Sequence, residues 1–211
     1  MSNSALVSYT KLSPNYTKMT GKQNKKITIH HMAGNLSVES CGNIFAKASR
    51  KASSNYGIGS DGRIALYVDE ANRSWCSSSS ANDSQAITIE VANCGGEPNW
   101  EVSDKAYAAL LDLCEDICRR NGITELNFTG DASGNLTQHN YFAATACPGP
   151  YLKAKFQDIA DEVNRRLKND GATTNKKVIY RVQVGAYSKK ENAEKMLAKL
   201  KADGYTDAYI K

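Results

Sequence analysis

The sequence holds only three histidines, and two of them, His30 and His139, suit metal ligation together with Cys147. His30 lies in Ile27–Met32, an alternating stretch that reads as a strand, with Ile27, Ile29 and His31 on one face and Thr28, His30 and Met32 on the other. His139 ends the loop-like Gly134–His139, and Cys147 stands in Thr145-Ala146-Cys147-Pro148-Gly149-Pro150. Two imidazoles and one thiolate from three distant segments make a catalytic zinc site of three protein ligands, with a fourth position open to water. Tetrahedral Zn²⁺ accepts mixed nitrogen and sulfur donors and lowers the pKa of its water to roughly 7. Spacing alone leaves another reading open: a buried His30 bonded to backbone and an inert Cys147.

A base would have to stand close by. Ala86–Asn93 reads as a second strand, with Ile87, Ile89 and Val91 on one face and Thr88, Glu90 and Ala92 on the other. A strand so aliphatic on one side is a buried one, and its other face must look at something. Facing a zinc water, Glu90 would take its proton.

The elements that must position these residues are legible in part. Ser37 caps a short helix over Val38–Lys47. Tyr56–Ile58 and Arg63–Val68 flank Ser60-Asp61-Gly62 as a hairpin. Residues 71–85 form a long loop, and the first 25 residues read as a polar lead-in that wraps a domain. Ser103 caps an amphipathic helix from Asp104 to Asn121 that Gly122 closes. Leu126–Thr129 reads as one more short strand and Tyr151–Leu167 as a second long helix. This is an α/β pattern.

Composition turns polar at residue 168. The divisions read as a catalytic domain over 1–168, a linker over 169–177 and a C-terminal unit over 178–211. In that unit Val178–Tyr187 alternates as a strand, Ser188 and Glu191 make a capping box, and Ala193, Met196, Leu197 and Leu200 line a helix. Asp207–Ile210 starts another strand, giving one small β-α-β unit.

Length and charge narrow the class. At 211 residues, 41% hydrophobic and 23% charged, the chain is an ordinary globular one and not a disordered one. No apolar run reaches the roughly 18 residues of a membrane span, and the first thirty residues lack a signal-peptide core. The net charge of +5 is scattered, so nothing calls for nucleic acid, while an anionic polymer such as cell wall suits it. Without export, the six cysteines (41, 76, 94, 114, 118 and 147) are expected to stay reduced, with Cys114 and Cys118 in a helix core.

Four stretches resemble, in the right order, the zinc N-acetylmuramoyl-L-alanine amidases, the family that includes the peptidoglycan recognition proteins. They are Ile27-Thr28-Ile29-His30-His31-Met32-Ala33-Gly34, Asn55–Gly62, Ala86–Asn93 and Thr145–Gly149. The wording is most similar to amidase domains of phage or prophage endolysins that lyse Gram-positive cells. The resemblance implies a mixed central β-sheet flanked by helices (amidase type 2-like), with His30, His139 and Cys147 as the zinc ligands and His31 as a packed neighbour. It implies hydrolysis of the amide between N-acetylmuramic acid and L-alanine, with Glu90 as base and Thr145 beside the developing oxyanion. Relatives carry a catalytic tyrosine where this chain has Ser54; Tyr56, two residues on, would substitute only if the strand register shifts. Trp75 falls where relatives line the substrate groove, with Asn82 and Asp83 set to bond polar substituents.

Tyr180–Ser188 resembles the opening of sporulation-related (SPOR) repeats, which bind septal peptidoglycan; Gln183 and Tyr187 are the implied glycan contacts. Only the first half of a repeat is present, so either the chain is truncated or two copies pair through it, which unpaired strand edges would favour. The expected partner is bacterial peptidoglycan, with neither nucleic acid nor membrane. The enzyme would be made in the host cytoplasm and act on the wall after release. Two readings of another class remain. A recognition module that holds muropeptide without cutting it is favoured by Ser54. A thiol peptidase with Cys147 as nucleophile is disfavoured, because both histidines precede the cysteine and Pro148 follows it.

Overall fold

The computed structural model describes residues 2–169, 184–205 and 208–210, in two compact units, Met1–Ala172 and Thr173–Lys211. The first is built on a six-stranded mixed sheet. Its strands are β1 (Val7–Thr10), β3 (Lys26–His31), β4 (Tyr56–Ile58), β5 (Ile64–Leu66), β7 (Ala86–Val91) and β8 (Leu136–Gln138), in the order β1-β5-β4-β7-β3-β8. Only β4 and β5 run antiparallel; their turn carries Gly62 at φ +87°, which suits glycine. Two short strands, β2 (Tyr16–Thr17) and β6 (Arg73–Ser74), pair separately.

One face of the sheet is aliphatic. Ile27, Ile29, Ile87 and Ile89 are fully buried beneath α3 (Asp104–Asn121), whose Leu110, Leu113 and Ile117 meet them in one core, and beneath α5 (Phe156–Asn169), which adds Phe156 and Ile159. Burying each such side chain contributes about 1.5–3 kcal/mol. Helix α3 starts where the Ser103 side chain accepts from the Ala106 N–H, and ends at Gly122 in the left-handed region. Helix α1 (Val38–Phe45) begins on the Ser37 cap and packs in a smaller cluster with Tyr67.

The other face is polar and just as buried. Thr28, Thr88 and Thr137 stand in register across β3, β7 and β8. The Thr28 and Thr137 hydroxyls meet at 2.9 Å, the Thr88 and Ser74 hydroxyls at 2.7 Å, and Asn82 Nδ2 donates to Thr28 at 2.9 Å. Loop 71–85, with its short helix α2 (Ser80–Asp83), covers this layer and satisfies it.

Several expectations are corrected. The lead-in contains edge strand β1, parallel to β5; its residues are alternately half-buried and exposed, so no apolar run marked it. Leu126–Thr129 forms no strand, because the Leu126 N–H donates to Asn164 Oδ1 and the Asn127 N–H to Asn135 Oδ1. The strand is instead β8, within the stretch read as loop. The helix expected over Tyr151–Leu167 is two, α4 (Gly149–Lys153) and α5.

The second unit contains α6 (Lys190–Ala202), which starts after Lys189 with no side-chain cap, in place of the Ser188–Glu191 box. Ala193, Met196, Leu197 and Leu200 are its half-buried residues. Of the strand expected over Val178–Tyr187, 178–183 lie outside the described residues and 184–187 are irregular, as are Ala208–Ile210. The linker residues 170–177, Gln183 and Asp207 also lie outside the described residues.

Candidate active site

His30 is the penultimate residue of β3 and Glu90 the penultimate residue of β7, and the two are direct register partners. They continue the polar face that begins at Thr28 and Thr88, so strand alternation aims both side chains at the same end of the sheet. Strand β8 delivers His139 one residue past its end, with ring centroids of His30 and His139 4.5 Å apart. The turn before α4 delivers Cys147, whose Sγ lies 3.8 Å from His30 Nδ1 and accepts the His31 backbone N–H at 3.4 Å. Ligand atoms of His30, His139 and Cys147 all lie within 4.8 Å of one another.

The donor set fits a zinc ion. Nε2 of His139 is buried without a hydrogen-bond partner, which is costly in a folded interior unless another group completes it, and His30 turns Nδ1 toward the Cys147 sulfur. Burial, then the neighbouring His139 and His31, holds the His30 pKa well below its usual value, so the imidazole is neutral and able to ligate. Burial lowers His139 as well. The Cys147 thiol is pushed upward by burial and by the nearby Glu90 charge, so a cation is what would draw it to the thiolate.

His31 is turned away from this set. Its ring packs edge-on against Trp100 at 5.3 Å. Gly149 allows that packing: at φ +83° a Cβ there would come 3.0 Å from Trp100 Cβ and 3.3 Å from the His31 ring.

Glu90 keeps Oε2 buried and unpartnered, while Oε1 faces the Cys76 thiol at 3.8 Å. Burial raises its pKa to about 8, with the Cys76 thiol and the Arg50 charge opposing. Thr145 lines the cleft; its hydroxyl oxygen accepts the Cys147 N–H at 3.2 Å, which leaves the O–H able to donate elsewhere. The cleft itself is about 690 Å³, within the usual range for ligand sites. Trp75 forms part of its wall, with Nε1 donating to Thr17 at 2.9 Å.

Four nominated residues are not presented to the cleft as expected. Ser54 is buried and donates to the Tyr56 carbonyl at 2.7 Å. The Tyr56 hydroxyl donates to Glu70 Oε1 at 2.6 Å and accepts the Ser4 N–H at 2.9 Å, deep in the fold. No register shift occurs in β4: Tyr56 pairs with Ile89, and Gly57 is the residue beside Glu90. Asn82 bonds Thr28, and Asp83, although it touches the cleft wall, spends its carboxylate inside the loop. Asp83 Oδ2 accepts the N–H groups of Cys76 and Ser77 at 3.0 and 3.1 Å, and Oδ1 accepts the Ser77 hydroxyl at 2.6 Å. Cys76, placed by that carboxylate against Glu90, escaped the sequence reading. The only hint was its position directly after Trp75 in the covering loop. Of the tail residues, Tyr187 is exposed.

Comparison with known proteins gives a family and a fold. The N-acetylmuramoyl-L-alanine amidase family profile matches residues 20–150, and the SPOR domain profile matches residues 157–211. The latter starts inside α5, whose Phe156, Ile159, Ala160 and Val163 belong to the core of the first unit. Among solved structures, a selenomethionine AmpD derivative is 19% identical with a TM-score of 0.58, over 75% of this chain and 96% of that one. Staphylococcus aureus hydrolase AmiA, in complex with its ligand, is 16% identical at 0.60, over 78% and 83%. The N-acetylmuramoyl-L-alanine amidase LysC of Clostridium intestinale is 21% identical at 0.54, over 72% and 96%. At such identities the likeness is one of fold. No curated protein matches significantly.

Proposed function

The chain belongs to the N-acetylmuramoyl-L-alanine amidase family, and from that premise we propose that it cuts the amide between N-acetylmuramic acid and L-alanine with Zn²⁺ held by His30, His139 and Cys147. The observation that carries this reading is the convergence of those three donor sets, within 4.8 Å, beside a Glu90 that is the register partner of His30. When bound, the cation supplies Lewis acidity, lowering the pKa of a water to about 7 and polarising a carbonyl oxygen.

The chain's own groups do the rest. Glu90 takes the proton of the attacking water on its unpartnered Oε2 and gives it to the departing amine. Thr145, anchored by the Cys147 N–H, turns its O–H toward the developing oxyanion. Trp75 offers the cleft an aromatic wall for a sugar or peptide face. Neither Ser54 nor Tyr56 takes part, since their hydroxyls are committed elsewhere.

The enzyme acts on bacterial peptidoglycan in this proposal, as a phage or prophage endolysin of Gram-positive hosts released to the wall from the cytoplasm. Residues 178–211, with Gln183 and Tyr187, hold it on glycan, and two copies pair through that unit; the SPOR match supports the wall-binding role. No described helix is long and apolar enough to cross a membrane. The deciding experiment is zinc content measured beside muropeptide products. Wild type as purified, with no added metal, should carry one zinc and release free stem peptide, and Cys147→Ser should lose that zinc and the activity. Full activity in metal-free protein would overturn the mechanism.

A further inference from the structure

The cleft holds more donor atoms than the proposed reaction uses. The Cys76 thiol, a Glu90 carboxylate oxygen and a His30 ring nitrogen also lie within 4.8 Å of one another. Only His30 is common to this set and to the His30–His139–Cys147 set. Cys76 is held in place from behind, because Asp83 Oδ2 accepts its N–H at 3.0 Å while its Sγ faces Glu90 Oε1 at 3.8 Å. Two side-chain atoms of these residues, Glu90 Oε2 and His30 Nε2, are buried with no hydrogen-bond partner. Nδ1 of His30 is the nitrogen 3.8 Å from Cys147 Sγ, and its second nitrogen becomes a ligand once the ring N–H proton is lost.

We propose that Cys76, Glu90 and His30 form a second cation site, filled by a soft divalent ion such as Zn²⁺ or Cd²⁺ beside the first when that ion is in excess. A thiolate, a carboxylate and an imidazole select soft and borderline ions over Mg²⁺ and Ca²⁺, which prefer all-oxygen shells. Filling the second site beside the first releases two protons to solvent, one from the Cys76 thiol and one from the second ring nitrogen of His30, leaving the sulfur ligated as thiolate and the ring bridging the two ions as imidazolate. The ion then occupies the carboxylate that the reaction needs as its base. Excess cation should therefore inhibit, a consequence that rests on the amidase reading, whereas the binding itself does not.

The test counts ions on the full chain, in a Cys94→Ser background that removes the exposed thiol. Native mass spectrometry follows Zn²⁺ bound per chain as free Zn²⁺ is raised, and Cd²⁺–thiolate absorbance reports sulfur ligation. The parent should fill a first site and then a second. Cys76→Ser should stop at one ion, and Glu90→Gln should weaken the second ion at least tenfold with circular dichroism unchanged. Cys147→Ser should still take up an ion that further replacement of Cys76 abolishes. Excess Zn²⁺ should slow the parent at least tenfold and spare Cys76→Ser. A parent that saturates at one ion, or a Cys76→Ser protein that still binds two, overturns the proposal. If Cys147→Ser binds as many ions as the parent and keeps its activity, the catalytic zinc reading fails while the Cys76 site stands.

Discussion

His30 and Glu90 stand directly opposite each other on two parallel, hydrogen-bonded strands. A ligand and a base placed on loops would depend on loop order for their spacing. Here the ladder fixes it, and the same ladder sets Thr28 against Thr88 one pleat below. Replacing the Glu90 carboxyl by an amide should therefore leave the ligands untouched. Glu90→Gln is expected to retain zinc and fold while turnover falls by roughly 10²–10⁴, the usual span for a lost general base. Steady-state kinetics beside metal analysis decides it, and a full-speed variant would reduce Glu90 to a structural carboxylate.

Tyr56 offers the converse case. Its hydroxyl bridges Glu70 and the Ser4 N–H, and Glu70 also receives Arg120 at 2.6 Å. Tyr56→Phe strips one donor from a buried carboxylate and one acceptor from a buried amide, at a cost of about 1–3 kcal/mol. Chemical denaturation should record that loss, with kcat/KM unchanged where the variant is folded. A kinetic defect without a stability defect would return Tyr56 to the catalytic machinery.

How much of this was legible follows from which physical signals are local. Strand alternation in Ile27–Met32 and Ala86–Asn93 was enough to put His30 and Glu90 on one face, because the apolar half of each strand meets a helix-covered core. Strand β8 was missed because three buried residues, Leu136, Thr137 and Gln138, carry no alternation, and their burial comes from pairing with β3. Asn82 and Asp83 looked like surface ligands since polar loop residues usually are. Only the buried threonine layer beneath them explains why their bonds turn inward. Cys76 depended on a hydrogen bond from Asp83, seven residues away in the same loop, that no pattern of spacing announces.

Alkaline stability should follow the buried thiols. Burial raises Cys41 and Cys118 from the usual 9.0 to about 12. A group raised in the folded state contributes stability that is complete below its unfolded pKa and lost as pH climbs through the folded one. The loss therefore falls between pH 9 and about 12. Lys22, lowered by burial from 10.5 to about 8, acts in the opposite sense between those values, but two thiols outweigh one ammonium. Urea midpoints are expected to fall steadily above pH 9, and to fall less steeply in Cys118→Ala than in wild type. Parallel slopes in the two proteins would mean that Cys118 ionises as freely folded as unfolded.

The last prediction concerns the tail. Every proposed ligand, the base and Thr145 lie in the unit spanning Met1–Ala172, while the second unit contributes α6 and exposed apolar groups at Val184, Tyr187, Tyr205, Tyr209 and Ile210. Tyrosines exposed in this way present stacking faces suited to sugars. Removing residues 173–211 keeps α5, with its Phe156 and Ile159, in the first unit's core. Cleavage of a soluble muropeptide should stay within twofold of the full chain, whereas sedimentation with intact walls should weaken. If the unit pairs two copies, the full chain should also run as a dimer in analytical ultracentrifugation and gain wall affinity by effective concentration, both lost on truncation. Equal loss of soluble cleavage and wall binding would mean that the tail supports the fold of the catalytic unit, and that its role is not residence on the wall.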